Sequence, residues 1–370
     1  MTIERITKVS FMMNSTSSIR HLQSVTWYND HTESEGTMPK KAALFYDYPI
    51  ADGEVFGLGR RQTIEKMTDL YPVVINSGNF DEHADKLGDV EVIFATWGML
   101  SLSDEHRGKL PKLDAVFYAA GNVKAFVQPL VDNDIILVCA WDFNAIPVSE
   151  MALAQVLLSC RGYYRTVRGY YASHDQGQAK GFHRTGVNGE TIGLIGMGMI
   201  GKRLNTLLQN FGFRVITYDP FLSEKRATEL GVEIVSMEDL FSRSYVVSNH
   251  IPDLPSTRNI LDGQLFGMMR EGGTFLNTGR GAQVIEADLI ETLKSRPDLT
   301  ALLDVAYPEP PVAESELWSL PNVWLTPHIG GSVGDEVVRM ADCVIEEFRA
   351  WEAGEPLQYR VTKEVLETMG

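Results

Sequence analysis

Three side chains that could take part in one reaction lie far apart in this chain. Arg280 stands between two glycines, Glu309 between two prolines, and His328 between a proline and an Ile-Gly-Gly run. An arginine binds a carboxylate through two parallel hydrogen bonds, and it also polarises a neighbouring carbonyl group. A histidine transfers a proton near neutral pH, and a glutamate beside it orients the ring and favours its protonated form. The three residues therefore suit proton transfer to the carbonyl group of an anionic substrate.

Each of the three residues, taken alone, also has an ordinary structural interpretation. Arg280 in a glycine-rich loop is typical of a salt bridge that pins the loop. Glu309 between prolines is typical of a solvated turn, although the proline rings also present its carboxylate stiffly. His328 before two glycines is typical of a hydrogen-bonded structural residue. The functional interpretation depends on all three occurring together.

A glycine-rich turn upstream of these residues predicts a dinucleotide site. Gly196, Gly198 and Gly201 lie between a predicted strand, 192–195, and a predicted helix, 200–211. The first glycine permits the tight turn, the second lets the backbone approach a pyrophosphate, and the third allows close packing of helix on strand. The pyrophosphate would bind at the positive N-terminus of the helix. A purely structural strand-turn-helix is the alternative.

Asp219 ends the next predicted strand and indicates which dinucleotide binds. An acid at this place accepts hydrogen bonds from the adenosine ribose hydroxyls. It also repels a 2′-phosphate by about 3 kcal/mol, for unit charges ~5 Å apart at an effective dielectric constant near 20. The neighbouring Pro220 and Phe221 supply no cation for that phosphate. We therefore predict NAD as the cofactor.

These motifs resemble those of the D-isomer-specific 2-hydroxyacid dehydrogenase family. The separations of Arg280, Glu309 and His328 are 309 − 280 = 29 and 328 − 309 = 19 residues. Both separations agree with the family, and so do the glycine-rich turn and the motif Thr326-Pro327-His328-Ile329-Gly330-Gly331. The resemblance extends over roughly residues 40–355.

The resemblance implies an NAD-dependent oxidoreductase that interconverts a D-2-hydroxy acid and its 2-oxo acid. His328 would be the general acid and base, Arg280 would bind the substrate, and Glu309 would orient the histidine. The alternative is an NAD(H)-sensing, corepressor-type binding protein with little turnover. His250, the other histidine that the resemblance places near the cofactor, is interpreted as a packed imidazole.

Further site residues come from the same resemblance. Besides the three glycines and Asp219, the implied cofactor contacts are Met199, Ile200, Ile251, Pro252, Thr257, Thr278, Asp304 and His328. Besides Arg280, the implied substrate contacts are Trp97 and the backbone amides of Ala120 and Gly121. Trp97 is either a substrate-facing aromatic or a buried anchor. Ala119 stands where the family usually has a glycine, which is a departure in the turn that would receive the substrate carboxylate.

The alternation of apolar runs with polar or helical segments predicts an α/β fold with parallel sheets. Predicted strands are 42–46, 73–75, 90–94, 115–118, 135–138, 191–195, 214–218, 245–247, 273–276, 299–305 and 323–325. Predicted helices are about 60–70, 148–164, 200–211 and 335–351. These elements form two doubly wound units.

The resemblance adds the arrangement of the two units along the chain. A flavodoxin-like substrate domain, 41–147 plus 332–370, would flank an inserted Rossmann NAD-binding domain, 148–331. Residues 1–40 have poor periodicity and are interpreted as an N-terminal arm, with a transit peptide as the alternative. Family members usually form dimers through the region matching 148–182, so we expect a homodimer. The tyrosines of that region would be interface anchors or internal packing residues.

Composition limits the partners and the location. The net charge of −16 opposes binding to nucleic acid or to an anionic membrane. The three cysteines, Cys139, Cys160 and Cys343, have no metal-ligand spacing, and no metal site is predicted. Their odd number and apolar surroundings favour a cytoplasmic protein with reduced thiols. We also expect no apolar run long enough to cross a bilayer, which needs about 20 residues.

Overall fold

A computed structural model describes residues 38–47, 55–124, 126–175 and 186–368 of the chain. The first half of this structure forms a five-stranded parallel sheet with the order β2-β1-β3-β4-β5. Its strands are β1 Lys41–Phe45, β2 Asp69–Leu70, β3 Val92–Ala95, β4 Ala115–Tyr118 and β5 Ile136–Cys139. The connecting helices are α1 Arg60–Met67, α2 Phe80–His83, α3 Asp104–Gly108 and α4 Val127–Val131, with a 3-10 turn at Ala84–Lys86.

The second half forms a seven-stranded parallel sheet with the order β12-β11-β10-β9-β6-β7-β8. Its strands are β6 Thr191–Ile195, β7 Arg214–Tyr218, β8 Glu233–Ile234, β9 Val246–Asn249, β10 Thr274–Asn277, β11 Thr300–Leu303 and β12 Val323–Leu325. Its helices are α5 Trp141–Cys160, α6 Tyr163–Ser173, α7 Met199–Leu208, α8 Glu224–Leu230, α9 Met237–Arg243, α10 Gly263–Gly267 and α11 Glu286–Ser295. Short 3-10 turns lie at Pro255–Thr257, Gly281–Gln283 and Glu316–Trp318.

Both sheets are buried on both faces, which explains why their strands are continuous apolar runs. In β1, Ala43 and Phe45 join one hydrophobic cluster, and Ala42 and Leu44 join the other. The seven-stranded sheet likewise lies between two clusters. The predicted fold class, two doubly wound parallel-sheet units of α/β type, is confirmed.

The predicted strand at 73–75 is wrong, and the preceding helix is shorter than predicted. Within that stretch only Ile75 forms a bridge, to Phe45, and the edge strand β2 lies earlier, directly after α1. The helix ends because Thr68 has an extended backbone and its hydroxyl donates to Ile64 O at 2.8 Å. Pro72 then lacks an amide for a sheet bond, so pairing does not continue along the strand.

The long helix predicted at 148–164 begins earlier and ends earlier. It spans Trp141–Cys160 with Pro147 inside it, and Gly162 in the left-handed region (φ +67°) separates it from α6. By length and composition, α5 alone among the helices of the described ranges could cross a membrane. The helix is not a continuous apolar run, because it contains Asp142 and Glu150. Its buried side chains, among them Ala152 and Val156, join the cluster beneath the seven-stranded sheet, and core helices of globular proteins pass the same test.

A long C-terminal helix packs against the five-stranded sheet. A 3-10 turn at Gly334–Val337 leads into α12, Val338–Glu352, and α13, Lys363–Thr368, follows near the end of the described chain. Phe348 of α12 packs edge-on against the rings of Phe94 and Phe117, with ring centroids 5.2 and 5.6 Å away. This return to the first sheet agrees with the expected insertion, but the exact domain boundaries stay predictions. The arm predicted at 1–40 lies outside the described residues up to residue 37.

Candidate active site

The predicted catalytic residues follow three neighbouring strands of the seven-stranded sheet. Arg280 follows β10, Glu309 follows β11 and His328 follows β12, and these strands are adjacent and parallel. The carboxyl ends of parallel strands meet at one edge, so residues far apart in sequence share one place. The glycine-rich turn follows β6 on the same edge, where the strand order reverses between β6 and β9. Ligands of open α/β sheets bind at such a point of reversal.

His328 and Glu309 form a hydrogen-bonded pair. His328 Nδ1 lies 2.5 Å from Glu309 Oε1. A carboxylate accepts but does not donate, so Nδ1 carries the shared proton and Nε2 is the nitrogen left for a substrate. The two side chains are 45% and 40% exposed, so a small ligand can reach the pair. His328 has a left-handed backbone (φ +55°), which its loop has to hold in place.

Asp304 holds the loop that carries His328. Its buried carboxylate accepts from the Thr326 hydroxyl at 2.6 Å and from the amides of Ile329 and Gly330 at 2.9 and 2.8 Å. A Cβ on Gly330 would lie only 2.8 Å from the same carboxylate, so glycine permits this close approach. Asp304 thus fixes the chain on both sides of His328. Its implied contact with the nicotinamide stays a prediction.

Arg280 lies in a tightly packed loop. Its Nη1 donates to Gly279 O at 2.7 Å. Burial lowers the pKa of the guanidinium, and the nearby carboxylates of Glu309 and Asp253 oppose that shift. A Cβ on Gly281 would lie 1.9 Å from the carbonyl carbon of Ala306, so this position has no room for a side chain. The glycine after Arg280 therefore brings the β10 loop against the β11 loop that leads to Glu309.

Gln283 links the arginine loop to the predicted cofactor segment. The side chain is completely buried, and its Oε1 accepts from Arg280 N at 3.1 Å and from Asn249 Nδ2 at 2.5 Å. Its Nε2 donates to the carbonyls of Ile251 and Pro252 at 2.7 and 2.9 Å. Every donor and acceptor of the amide is satisfied, as a buried amide requires. One residue therefore sets the relative position of Arg280 and the Ile251–Pro252 segment.

His250 is a buried neutral imidazole. Its two nitrogens bond the hydroxyls of Ser248 and Thr278 at 2.8 and 3.1 Å. Burial lowers the pKa of the ring to about 3. These contacts agree with the interpretation of His250 as a packed residue, and they anchor Thr278, one of the implied cofactor contacts.

The glycine-rich turn has the backbone geometry that a dinucleotide needs. Gly196 is left-handed (φ +93°), and a Cβ on Gly201 would lie 2.1 Å from Gly196 O. A Cβ on Gly198 would meet nothing within 4 Å, so the backbone lies open beside the N-terminus of α7, at Met199 and Ile200. This opening at the positive end of a helix fits a pyrophosphate.

Asp219 braces the same turn. Its two oxygens accept from the amides of Met197 and Phe221 at 2.7 and 2.8 Å. The carboxylate thereby stands at the end of β7 next to the turn, where an adenosine ribose would lie. Thr257, another implied cofactor contact, ties its own loop together, with Oγ1 2.6 Å from Pro252 O and accepting from Leu254 N at 2.9 Å.

The predicted substrate turn follows β4 of the other sheet. The Ala120 amide already donates to Tyr118 O at 3.0 Å, and the buried Cys139 thiol donates to Ala120 O at 3.0 Å. A carboxylate at Ala120 would therefore have to replace a bond within the turn. A Cβ on Gly121 would lie 3.2 Å from the amide nitrogen of Asn144.

Trp97 is partly buried and packs against both hydrophobic clusters of the five-stranded sheet. These contacts agree with the buried-anchor alternative. Its role as a substrate wall stays a prediction.

Sequence reasoning missed two of the residues that hold this site, and it named a third, Lys124, only as an available cation without a place. Asn144 on α5 accepts from Ser332 N at 2.9 Å, beside the His328 loop. Gln283 was missed, although a polar residue in the apolar stretch that follows Arg280 could have indicated a buried, hydrogen-bonded side chain. Lys124 donates to Asp253 O at 3.0 Å and so joins a loop of the five-stranded sheet to a loop of the seven-stranded sheet. No local sequence pattern predicts this contact.

Comparison with known proteins gives the family. Residues 153–330 match the family model for the NAD-binding domain of D-isomer specific 2-hydroxyacid dehydrogenases. A D-3-phosphoglycerate dehydrogenase of Mycobacterium leprae is 32% identical over 246 residues, which are 66% of this chain and 46% of the relative. The enzyme of the same name from Methanocaldococcus jannaschii is 30% identical over 272 residues, which are 72% of this chain and 50% of the relative. The chain thus spans about half the length of these curated relatives.

Solved structures share the fold. A phosphoglycerate oxidoreductase from Rhizobium etli is 24% identical with a TM-score of 0.72, and the match covers 88% of this chain and 99% of that one. The apo D-mandelate dehydrogenase of Rhodotorula graminis is 22% identical with a TM-score of 0.72, over 88% and 98% of the two chains. The fold and the glycine-rich turn define a dinucleotide-binding α/β protein with NAD as cofactor. Residues 153–330 belong to the D-isomer-specific 2-hydroxyacid dehydrogenase family, whose NAD-binding domain they match, and the chain is similar to members of that family beyond this domain.

Proposed function

We propose that this protein is an NAD-dependent dehydrogenase that interconverts a D-2-hydroxy acid and its 2-oxo acid. The observation that carries the proposal is the 2.5 Å bond between His328 and Glu309, on loops next to that of Arg280. All three loops leave one edge of the sheet whose glycine-rich turn fits the cofactor. An acid–base pair beside a cation is the set that carbonyl reduction of an anionic substrate requires.

The residues divide the work between binding and proton transfer. Arg280 binds the carboxylate of the 2-oxo acid and draws electron density from the adjacent carbonyl oxygen. NAD, when bound as NADH, supplies the hydride. Protonated His328 gives the proton on Nε2 to the carbonyl oxygen, and in the oxidation direction the neutral ring takes it from the hydroxyl group. Glu309 orients the ring by accepting a hydrogen bond from Nδ1.

The cofactor would be held by the turn and by the strand end beside it. The amides at the start of α7 would bind the pyrophosphate, with Gly198 giving backbone access. Asp219 accepts from the ribose hydroxyls and disfavours a 2′-phosphate, so we propose a preference for NADH over NADPH. Ile251, Pro252 and Thr257 border the remaining part of the dinucleotide.

The homodimer and the domain division are also proposals. On α6 the side chains of Tyr163, Tyr170 and Tyr171 are 48%, 52% and 77% exposed, which makes them available as anchors. Part of the region that we expect at the interface, 176–182, lies outside the described residues. Sedimentation of the whole chain distinguishes a dimer from a monomer. The cytoplasmic location likewise stays a prediction.

The substrate is tested with a panel of 2-oxo acids. The oxidation of NADH and NADPH would be measured with glyoxylate, hydroxypyruvate, pyruvate, phenylpyruvate, 2-ketoisocaproate and 3-phosphohydroxypyruvate. NADH-dependent turnover of one compound supports the proposal and names the substrate. Tight NADH binding without turnover of any of them contradicts it and favours the corepressor-type alternative.

A further inference from the structure

Two cations at the site are held by backbone carbonyls rather than by acids. Arg280 bonds Gly279 O, and Lys124 bonds Asp253 O at 3.0 Å. Within the described ranges, no carboxylate lies within salt-bridge distance of either side chain. A carbonyl oxygen carries only a partial charge, so each cation keeps most of its capacity to bind an anion.

The nearby acids are already engaged. Asp253 forms a two-bond pair with Arg258, at 2.9 and 3.0 Å. Glu309 is bonded to His328, and both oxygens of Asp304 accept bonds from the His328 loop. Because these carboxylates are bonded to other residues, they do not compete with a ligand for Lys124 or Arg280.

The backbone fixes Lys124 at the end of the predicted substrate turn. Its own amide donates to Asn122 Oδ1 at 2.9 Å, which closes a local turn directly after Gly121. The side chain then reaches the Asp253 loop of the other sheet while remaining exposed. Burial lowers the pKa of this ammonium group, the charge of Asp253 opposes the shift, and the charge of Arg280 adds to it. Lys124 and Arg280 therefore lie close enough to feel each other's charge.

We propose that Lys124 determines specificity by binding a second anionic group at the far end of the 2-oxo acid. This inference rests on the proposed function, since it takes Arg280 as the partner of the 2-oxo carboxylate. The substrate class is then a 2-oxo acid with two anionic groups, and the second group is a carboxylate or a phosphate. An ammonium group with two further N–H donors suits either one.

The test uses substrate pairs that differ in the second charge. Oxaloacetate is compared with 2-oxobutyrate, and 3-phosphohydroxypyruvate with hydroxypyruvate, in the holoenzyme with NADH. We expect the wild type to prefer the charged member of at least one pair. Lys124→Gln lowers kcat/KM for that member about 10- to 100-fold, the loss of one charge-assisted hydrogen bond, and changes the neutral member less than about threefold. The pair that shows the preference identifies the second anionic group as a carboxylate or a phosphate.

Two further variants make the result specific. Lys124→Arg keeps the charge and should retain most of the preference. Lys109→Gln removes an exposed lysine that pairs with Asp85 on the same half of the molecule, and it should change neither pair. An equal loss for charged and neutral members in Lys124→Gln would overturn the proposal, because it would mean that Lys124 only joins the two loops. Absence of any preference in the wild type would also overturn it.

A binding measurement separates this proposal from the proposed function. Hydroxymalonate and lactate, a doubly and a singly charged 2-hydroxy acid, are titrated into the NADH-loaded protein, with NADH fluorescence as the readout. If no 2-oxo acid is turned over but hydroxymalonate binds more tightly than lactate in a Lys124-dependent manner, the dehydrogenase function fails and this inference stands. If turnover occurs and Lys124→Gln leaves both affinities unchanged, the dehydrogenase function stands and this inference fails.

Discussion

The two sheets present their ligand-facing loops in different ways. On the seven-stranded sheet, the loops after β10, β11 and β12 are fixed by buried side chains, chiefly Asp304 and Gln283. On the five-stranded sheet, the turn after β4 is held by the thiol of Cys139 and by short turns of its own backbone, and it ends in the exposed Lys124. Under the proposed function, acid–base chemistry would use the rigid loops of the seven-stranded sheet, and recognition of the rest of the substrate would use the simpler loop of the five-stranded sheet.

The largest expected effect comes from removing the acid–base group on the rigid side. His328→Ala should lower kcat by about 10²- to 10⁴-fold, since general acid catalysis contributes that range. NADH affinity should change only about twofold, because the ring is one of many implied cofactor contacts and lies outside the glycine-rich turn. Steady-state kinetics and fluorescence titration measure the two quantities. His106, a partly exposed histidine on α3 of the other sheet, provides a control, and kcat for His328→Ala within about threefold of wild type would refute the role.

The next largest effect tests whether the rigid frame itself matters. Asp304→Ala leaves the donors of Thr326, Ile329 and Gly330 without their acceptor, and we expect kcat to fall about 10- to 100-fold. The free energy of unfolding should fall by about 3 kcal/mol, the order expected for buried donors left without a partner. Asp304→Asn keeps one oxygen and should recover part of both losses. If kcat is unchanged while stability falls, the carboxylate holds the fold but does not position His328.

A smaller effect is expected from the link between the arginine and the cofactor segment. Gln283→Leu should raise both KM for the 2-oxo acid and Kd for NADH about tenfold, because one amide holds both segments. The exposed Gln264 on α10 gives a matched control. A rise in only one of the two constants would show that Gln283 does not connect the segments.

The smallest effect is a pH dependence of stability. Burial holds the pKa of His250 at about 3, far below its ordinary value of 6.5. Below pH 6.5 the unfolded chain therefore binds a proton at this residue that the folded chain does not bind, and this favours unfolding. The contribution of His250 to the free energy of unfolding is fully present above pH 6.5 and decreases as the pH falls towards 3. By pH 5 the loss from this residue should be about 2 kcal/mol. Urea unfolding of wild type and His250→Asn at pH 8 and pH 5 measures it, and equal pH dependence in both proteins would contradict the assignment.

The sequence predicted the features whose cause is local. Continuous apolar runs fixed the class of the sheets, and glycine spacing located the turn at 196–201, because both patterns depend on neighbouring residues only. The strand predicted at 73–75 was wrong because Pro72 and the position at the sheet edge determine the strand pairing there. A pattern of apolar residues does not reveal either effect. The start of α5 was predicted too late, because the helix begins at Trp141 and accommodates Pro147 in its interior.

The side-chain contacts between loops could not be predicted in the same way. Arg280, Glu309 and His328 were identified by their separations in the chain, without any information about distance. The bonds of Gln283 to Ile251 and Pro252 and the reach of Lys124 to Asp253 depend on how the loops meet in space. The sequence therefore predicted the candidate reacting groups, and the structure added the residues that hold and surround them.

One kinetic experiment tests the division between the two sheets most directly. The values of kcat/KM for a charged and a neutral 2-oxo acid would be measured in wild type, His328→Ala, Lys124→Gln and the double variant. We predict that His328→Ala lowers both values by the same factor, that Lys124→Gln lowers only the value for the charged acid, and that the two effects multiply in the double variant. A change of substrate preference in His328→Ala, or an equal loss for both acids in Lys124→Gln, would contradict the account.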